Sequence, residues 1–150
     1  QALAEPAERA GLNFTPDALA AIYVQTRGYP YFLQEWGYQA WNNAQSSPIT
    51  KADIDASTAI VSNRLDENFF RVRFDRLTPK EKAFMRAMAE LGNGNVRLAE
   101  VCDKLGLRLN QTSPVRASLI KKGMIYSPAH GDLGFTVPLF DEFMKRVMPS

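Results

Sequence analysis

Apolar positions recur at helical spacing through most of this chain and alternate at strand spacing only briefly near its end. In the first half, Leu19, Ile22 and Tyr23 give an apolar face to a segment that opens at Thr15-Pro16-Asp17 and stops at Gly28. Threonine there suits an N-cap, proline the first helical position, and aspartate the positive helix end. A short Ala/Glu-rich helix is expected before it, over Ala2 to Ala10, ended by Gly11. Pro30 opens a further helix with Phe32, Leu33, Trp36, Ala40 and Trp41 at helical spacing, and both tryptophans are expected in the core. Residues 42–48 read as a loop. Thr50-Lys51-Ala52-Asp53 then forms a capping box with Asp in the usual place of Glu, and Ile54, Val61 and Leu65 line the helix it starts. Phe69 to Phe74 alternates apolar and basic residues as a strand would. No turn separates it from the preceding helix, so a helical extension is expected.

The second half changes pattern. Thr78-Pro79-Lys80-Glu81 combines N-cap, first-turn proline and capping-box glutamate, and Phe84, Ala87, Met88 and Leu91 form the buried stripe behind it. Gly92-Asn93-Gly94-Asn95 is a turn, and Val96 begins a stub of strand. Leu98 to Leu105 fits a second helix closed by Gly106. A third opens near Asn110 and ends at Lys121-Lys122-Gly123, with Pro114 in its first turn and Val115, Leu119 and Ile120 facing inward. Ile125-Tyr126-Ser127 and Phe135-Thr136-Val137 flank a turn at Pro128 to Asp132, and Pro138 admits a last helix through Phe140, Phe143, Met144 and Val147. The predicted fold is mainly α: a helical subdomain followed by a winged helix-turn-helix with a small β-hairpin. The expected boundaries are 1–68, a connector at 69–77, and 78–150.

Composition narrows the chemistry. At 150 residues with 45% hydrophobic and 23% charged, the chain has the make-up of one ordinary domain or two small ones. No apolar run approaches the roughly 20 residues that span a bilayer, and the N-terminus lacks the pattern of a signal peptide, so no membrane partner and a cytoplasmic location are expected. A first residue other than Met makes a piece of a longer protein the simplest reading. Cys102 is the single cysteine and His130 the single histidine, so no internal disulfide, no zinc site and no nucleophile–base set can be assembled. Binding is expected rather than catalysis. Residues 1–77 carry seven basic against nine acidic side chains, and residues 78–150 carry eleven against seven. An anionic partner therefore suits the second half.

The third helix of the winged segment holds the candidates for that partner. Arg108, Asn110, Gln111, Thr112, Ser113, Arg116, Lys121 and Lys122 are expected to face outward, with His130 in the wing. Arginine can take guanine edges, asparagine and glutamine can take adenine, and hydroxyls or lysine can hold phosphate. Duplex DNA is the favoured partner. A protein partner stays open, because winged helices also dock protein and this wing carries no Arg or Lys.

Arg27-Gly28-Tyr29-Pro30 adds a second clue. A Gly-x-Pro turn between helices resembles the lid of AAA+ and STAND-type P-loop ATPases. A four-helix lid joined to a winged helix is similar to the C-terminal half of archaeal replication-initiator ATPases and related bacterial ATP-binding proteins. The runs from Phe70 to Lys82 and from Pro114 to Tyr126 look like the corresponding parts of those bacterial proteins. This resemblance implies that Arg27, Gly28 and Pro30 lie near ATP bound with Mg on an upstream P-loop domain. Many such lids place an arginine after the proline, where this chain has Tyr31. It contains neither a phosphate-binding Gly-x-x-x-x-Gly-Lys-Ser/Thr loop nor a Walker B strand, so the fragment is expected not to be an enzyme, although the intact protein would be an ATPase. Two other readings remain: a free-standing winged-helix transcription regulator whose N-terminal helices dimerise, and a protein-docking signalling module.

Overall fold

A computed structural model describes residues 14–44 and 48–149. The expected helix over Ala2 to Ala10 lies outside the described residues. The fold is mainly α with a small antiparallel sheet, and the chain divides into two compact units, Gln1–Asn68 and Phe69–Ser150. No helix among the described residues is long and apolar enough to cross a membrane.

Three helices build the described part of the first unit: α1 (Pro16–Thr26), α2 (Pro30–Asn43) and α3 (Lys51–Leu65), each packed on the other two. The Thr15 side chain caps α1, and Thr50 with Asp53 forms the reciprocal capping box of α3. The buried face of α1 is Ala18, Ile22 and Thr26, with Tyr23 turned outward. Trp36 is buried with Phe32, Leu33 and Ala40, whereas Trp41 is 36% exposed. Residues five apart on a helix point about 140° away from each other, so the two tryptophans cannot share one face.

The backbone stays helical beyond α3. A π-helical turn occupies Asp66–Phe70 and leads into α4 (Arg71–Phe74), which settles residues 69–74 as helix rather than strand. Phe69 and Phe70 are both buried, and their rings meet edge-on with centroids 5.4 Å apart. The segment expected as a connector instead supplies core to the second unit. Phe70 stacks on Phe143 with centroids 5.3 Å apart, Phe74 meets Phe143 edge-on at 5.8 Å, and Leu77 is buried.

The second unit continues with α5 (Pro79–Leu91), β1 (Val96–Arg97), α6 (Leu98–Leu105), α7 (Leu109–Lys121), β2 (Ile125–Tyr126), β3 (Asp132–Phe135) and α8 (Phe140–Val147). Helix α5 packs against α6, α7 and α8. β3 lies between the other two strands, pairing Val96 with Leu133, and Ile125 with Phe135. This order and pairing are those of a winged helix-turn-helix with a three-stranded sheet, one strand more than a bare hairpin. Pro114 sits in the body of α7 rather than in its first turn, because the helix begins at Leu109. The inward face of α7 is Thr112 and Leu119, with Ile120 37% exposed.

Gly134 faces Tyr126 across the wing, where an added Cβ would lie 2.9 Å from the tyrosine Cε1 and 3.1 Å from Asn95 Oδ1. Gly134→Ala should therefore lower stability by about 1–2 kcal/mol, with the Tyr126 ring displaced. Denaturant unfolding of Gly134→Ala, Tyr126→Ala and the double variant checks this. Costs that simply add would contradict a clash between the two positions.

Candidate nucleic-acid interface

The helix-turn-helix is fixed from within. Gly106 takes a left-handed conformation (φ 67°) that ends α6, and Leu107 N–H donates to the Cys102 carbonyl at 3.1 Å. Helix α7 starts two residues later. Gln111 Oε1 accepts the Arg108 N–H at 2.8 Å, so this side chain is spent on capping its own helix instead of standing free as a base reader. Thr112 is fully buried, donates to the Leu109 carbonyl at 2.9 Å and meets Cys102 Sγ at 3.3 Å. It locks the two helices together, which corrects its reading as an outward contact. Ser113 is exposed, though its hydroxyl donates to the Leu109 carbonyl.

The other end of α7 carries a larger correction. Lys122, expected to hold phosphate, donates to Glu81 Oε1 at 2.7 Å and to the Arg76 carbonyl at 3.0 Å. Glu81 is 3% exposed and also receives the Thr78 N–H at 2.8 Å and the Ser118 hydroxyl. Burial by itself would raise the Glu81 carboxyl. Hydrogen bonds from Lys122, Ser118 and Thr78 outweigh it and hold the group down to about 2. The Ser118 and Lys122 contacts left no local signal, because they lie 37 and 41 residues from Glu81.

Exposed positions on α7 are Leu109, Asn110, Gln111, Ser113, Pro114, Ala117, Ile120 and Lys121, with Arg108 exposed just before it and Arg116 half-buried. Leu109–Lys121 contains no acidic residue. A groove of about 610 Å³ runs between this helix, α6 and the wing, and its lining brings Ser113, Arg116 and His130 together with Arg97. Sequence reasoning missed Arg97. Its signal was the Val96 stub, because alternation on a strand turns the next residue outward when Val96 is buried. Leu98, Cys102, Leu107 and Leu109 make the lining partly apolar, and Asp103 is its acidic member. The His130 turn is held by the Leu98 N–H bonding the Gly131 carbonyl at 2.8 Å and by Ser127 bonding Ala129 and Asp132 carbonyls.

In the first unit, Arg27 (φ 54°) and Gly28 (φ 77°) turn the chain through two left-handed residues before Pro30 opens α2. Thr26 organises the turn: its hydroxyl donates to the Ile22 carbonyl at 2.8 Å and accepts from the Gly28 N–H at 3.2 Å. Arg27, Pro30 and Tyr31 are exposed. Among the described residues no group of His, Cys, Asp and Glu could hold a metal.

Because the Glu81 carboxyl is depressed in the fold, its contribution is fully present above the ordinary value of 4.5 and is lost as pH falls toward about 2. That contribution is on the order of 3 kcal/mol. Urea midpoints of the native chain should therefore drop across this window, and Glu81→Gln should be less stable at neutral pH but show a flatter profile. Parallel profiles for the two proteins would refute the assignment.

No curated protein matches the chain. Residues 67–144 match a family described as Domain of unknown function (DUF8462), a span that covers nearly all of the winged unit. Since that span is more than half of the chain, the protein belongs to the DUF8462 family.

Proposed function

We propose that the second unit binds duplex DNA, with α7 presented to the major groove and the wing beside it. One observation carries this reading: α7 exposes Asn110 and Lys121 on a helix without a single carboxylate, and half-buried Arg116 shares the groove alongside with Arg97 and His130. Arg116 and Asn110 are the candidate base readers. Arg108, Lys121 and Arg97 are the candidates for phosphate contacts, while Ser113 already donates its hydroxyl to the Leu109 carbonyl. Lys122 keeps a structural role through Glu81.

In the intact protein, we propose, the first unit is an AAA+/STAND-type lid that responds to ATP and Mg held by an upstream P-loop domain. Support comes from the resemblance of the Gly28-Tyr29-Pro30 turn and from the order of a three-helix unit before a winged helix. The chain itself should not turn over ATP, and a colorimetric phosphate assay on purified protein checks that.

A protein-docking reading is favoured by one feature. Leu107 and Leu109, beside the start of α7, are 40% and 59% exposed, and Leu107 also lines a second pocket of about 340 Å³ with Phe84 and Val115. The readings separate by titration with duplex DNA at two salt concentrations. Arg116→Ala should weaken binding roughly tenfold and reduce the salt slope by about 0.9. No binding of the native chain to duplex DNA at either salt concentration would favour protein docking instead.

A further inference from the structure

Cations gather on a second face of the winged unit. Residues 71–82 contain Arg71, Arg73, Arg76, Lys80 and Lys82 against Asp75 and Glu81, and Glu81 is already neutralised by Lys122. Phe74 and Phe143 meet edge-on at 5.8 Å. The Arg71 guanidinium lies 5.7 Å from the first ring and 5.5 Å from the second, and the Lys82 ammonium lies 4.3 Å from Phe74. Arg146 reaches Phe143 from α8 at 5.8 Å. Aromatic rings orient these groups without cancelling their charge, so positive potential accumulates where the two rings join. The exposed acids on the same elements are Asp75, Glu142 and Glu90, the last paired with Arg86 at 2.7 Å.

This segment touches the end of α7. Lys122 bonds the Arg76 carbonyl at 3.0 Å, which brings the 71–82 segment against the helix end that bears Lys121. We propose that the DNA surface extends past α7 onto this segment, where Arg71, Arg76 and Lys82 contact phosphates of the flanking duplex. The inference rests on the α7 reading above. Nucleic acid suits the surface because its anions repeat at short intervals along a stiff rod, roughly one charge per 1.7 Å of duplex axis. A chain of cations held on a rigid framework can meet several of them at once.

Binding of the full chain to duplexes of about 12 and about 30 base pairs, each titrated across a salt series, tests the extension. Arg71→Ala with Lys82→Ala should leave the short duplex unaffected. On the long duplex it should weaken binding at least fivefold and lower the salt slope by about 2, one contact for each lost charge. Arg71→Lys with Lys82→Arg keeps both charges and should restore the slope even if ring packing changes. Wild-type affinity and slope of the alanine pair on the long duplex, with Arg116→Ala still impaired, would overturn the extension alone. Failure of the native chain to bind either duplex, or indifference to Arg116→Ala on both, would remove the α7 reading and the extension with it.

Discussion

A buried carboxylate holds the winged unit in register. Glu81 uses one oxygen to close the capping box on Thr78 and to meet Lys122, and the other to receive Ser118. Helix α5 thus begins where α7 is anchored. Taking such a charge out of water costs several kcal/mol, and only good geometry with saturating donors offsets it. Three donors converge here, which explains why the group stays ionised despite being 3% exposed. An apolar pair could match it in stability, but would leave the Thr78 N–H uncapped and the rotation of α7 about its axis less determined. With Ser118 turned toward α5, residues such as Asn110 and Lys121 are left on other sides of the helix.

The aromatic cluster below this pair solves a different problem. Helix α4 is a single turn, too short to be stable alone. Phe70 and Phe74 pin it to Phe143 of α8, and Phe140 completes the set at 5.6 Å from Phe143. The charged heads of Arg71, Lys82 and Arg146 then lie over the rings, within 4.3–5.8 Å of their centroids. Residues that look like a linker in composition are therefore core on one side and charge on the other.

Local signals were legible in the sequence. Both capping boxes, at Thr50 and Thr78, involve residues three apart, and the helix end at Gly106 follows from backbone freedom at a single position, while the end before Gly28 also puts Arg27 in the left-handed region. The mainly α class with a small β element followed from these and from periodicity. What escaped was decided at a distance or by phase. Lys122 resembles a free surface lysine until Glu81 arrives from another helix, and Thr112 resembles a polar surface residue until Cys102 closes on it. Ile120 looks inward by composition, yet Leu119 beside it takes the core position and leaves it a hundred degrees or so away. The π turn left no motif, only the later fact that Phe69 and Phe70 are both buried.

Pro114 gives α7 one more property. A proline in the body of a helix cannot donate to the carbonyl four residues earlier, and here that carbonyl belongs to Asn110. Asn110 is an exposed residue, and its main-chain oxygen lacks the N–H that a non-proline residue at 114 would bring. Phosphate oxygens have no hydrogen to offer it. A cytosine or adenine amino group does, and so does a peptide N–H. Any group that reaches this carbonyl pairs with it only by bringing a proton, whatever charge that group carries.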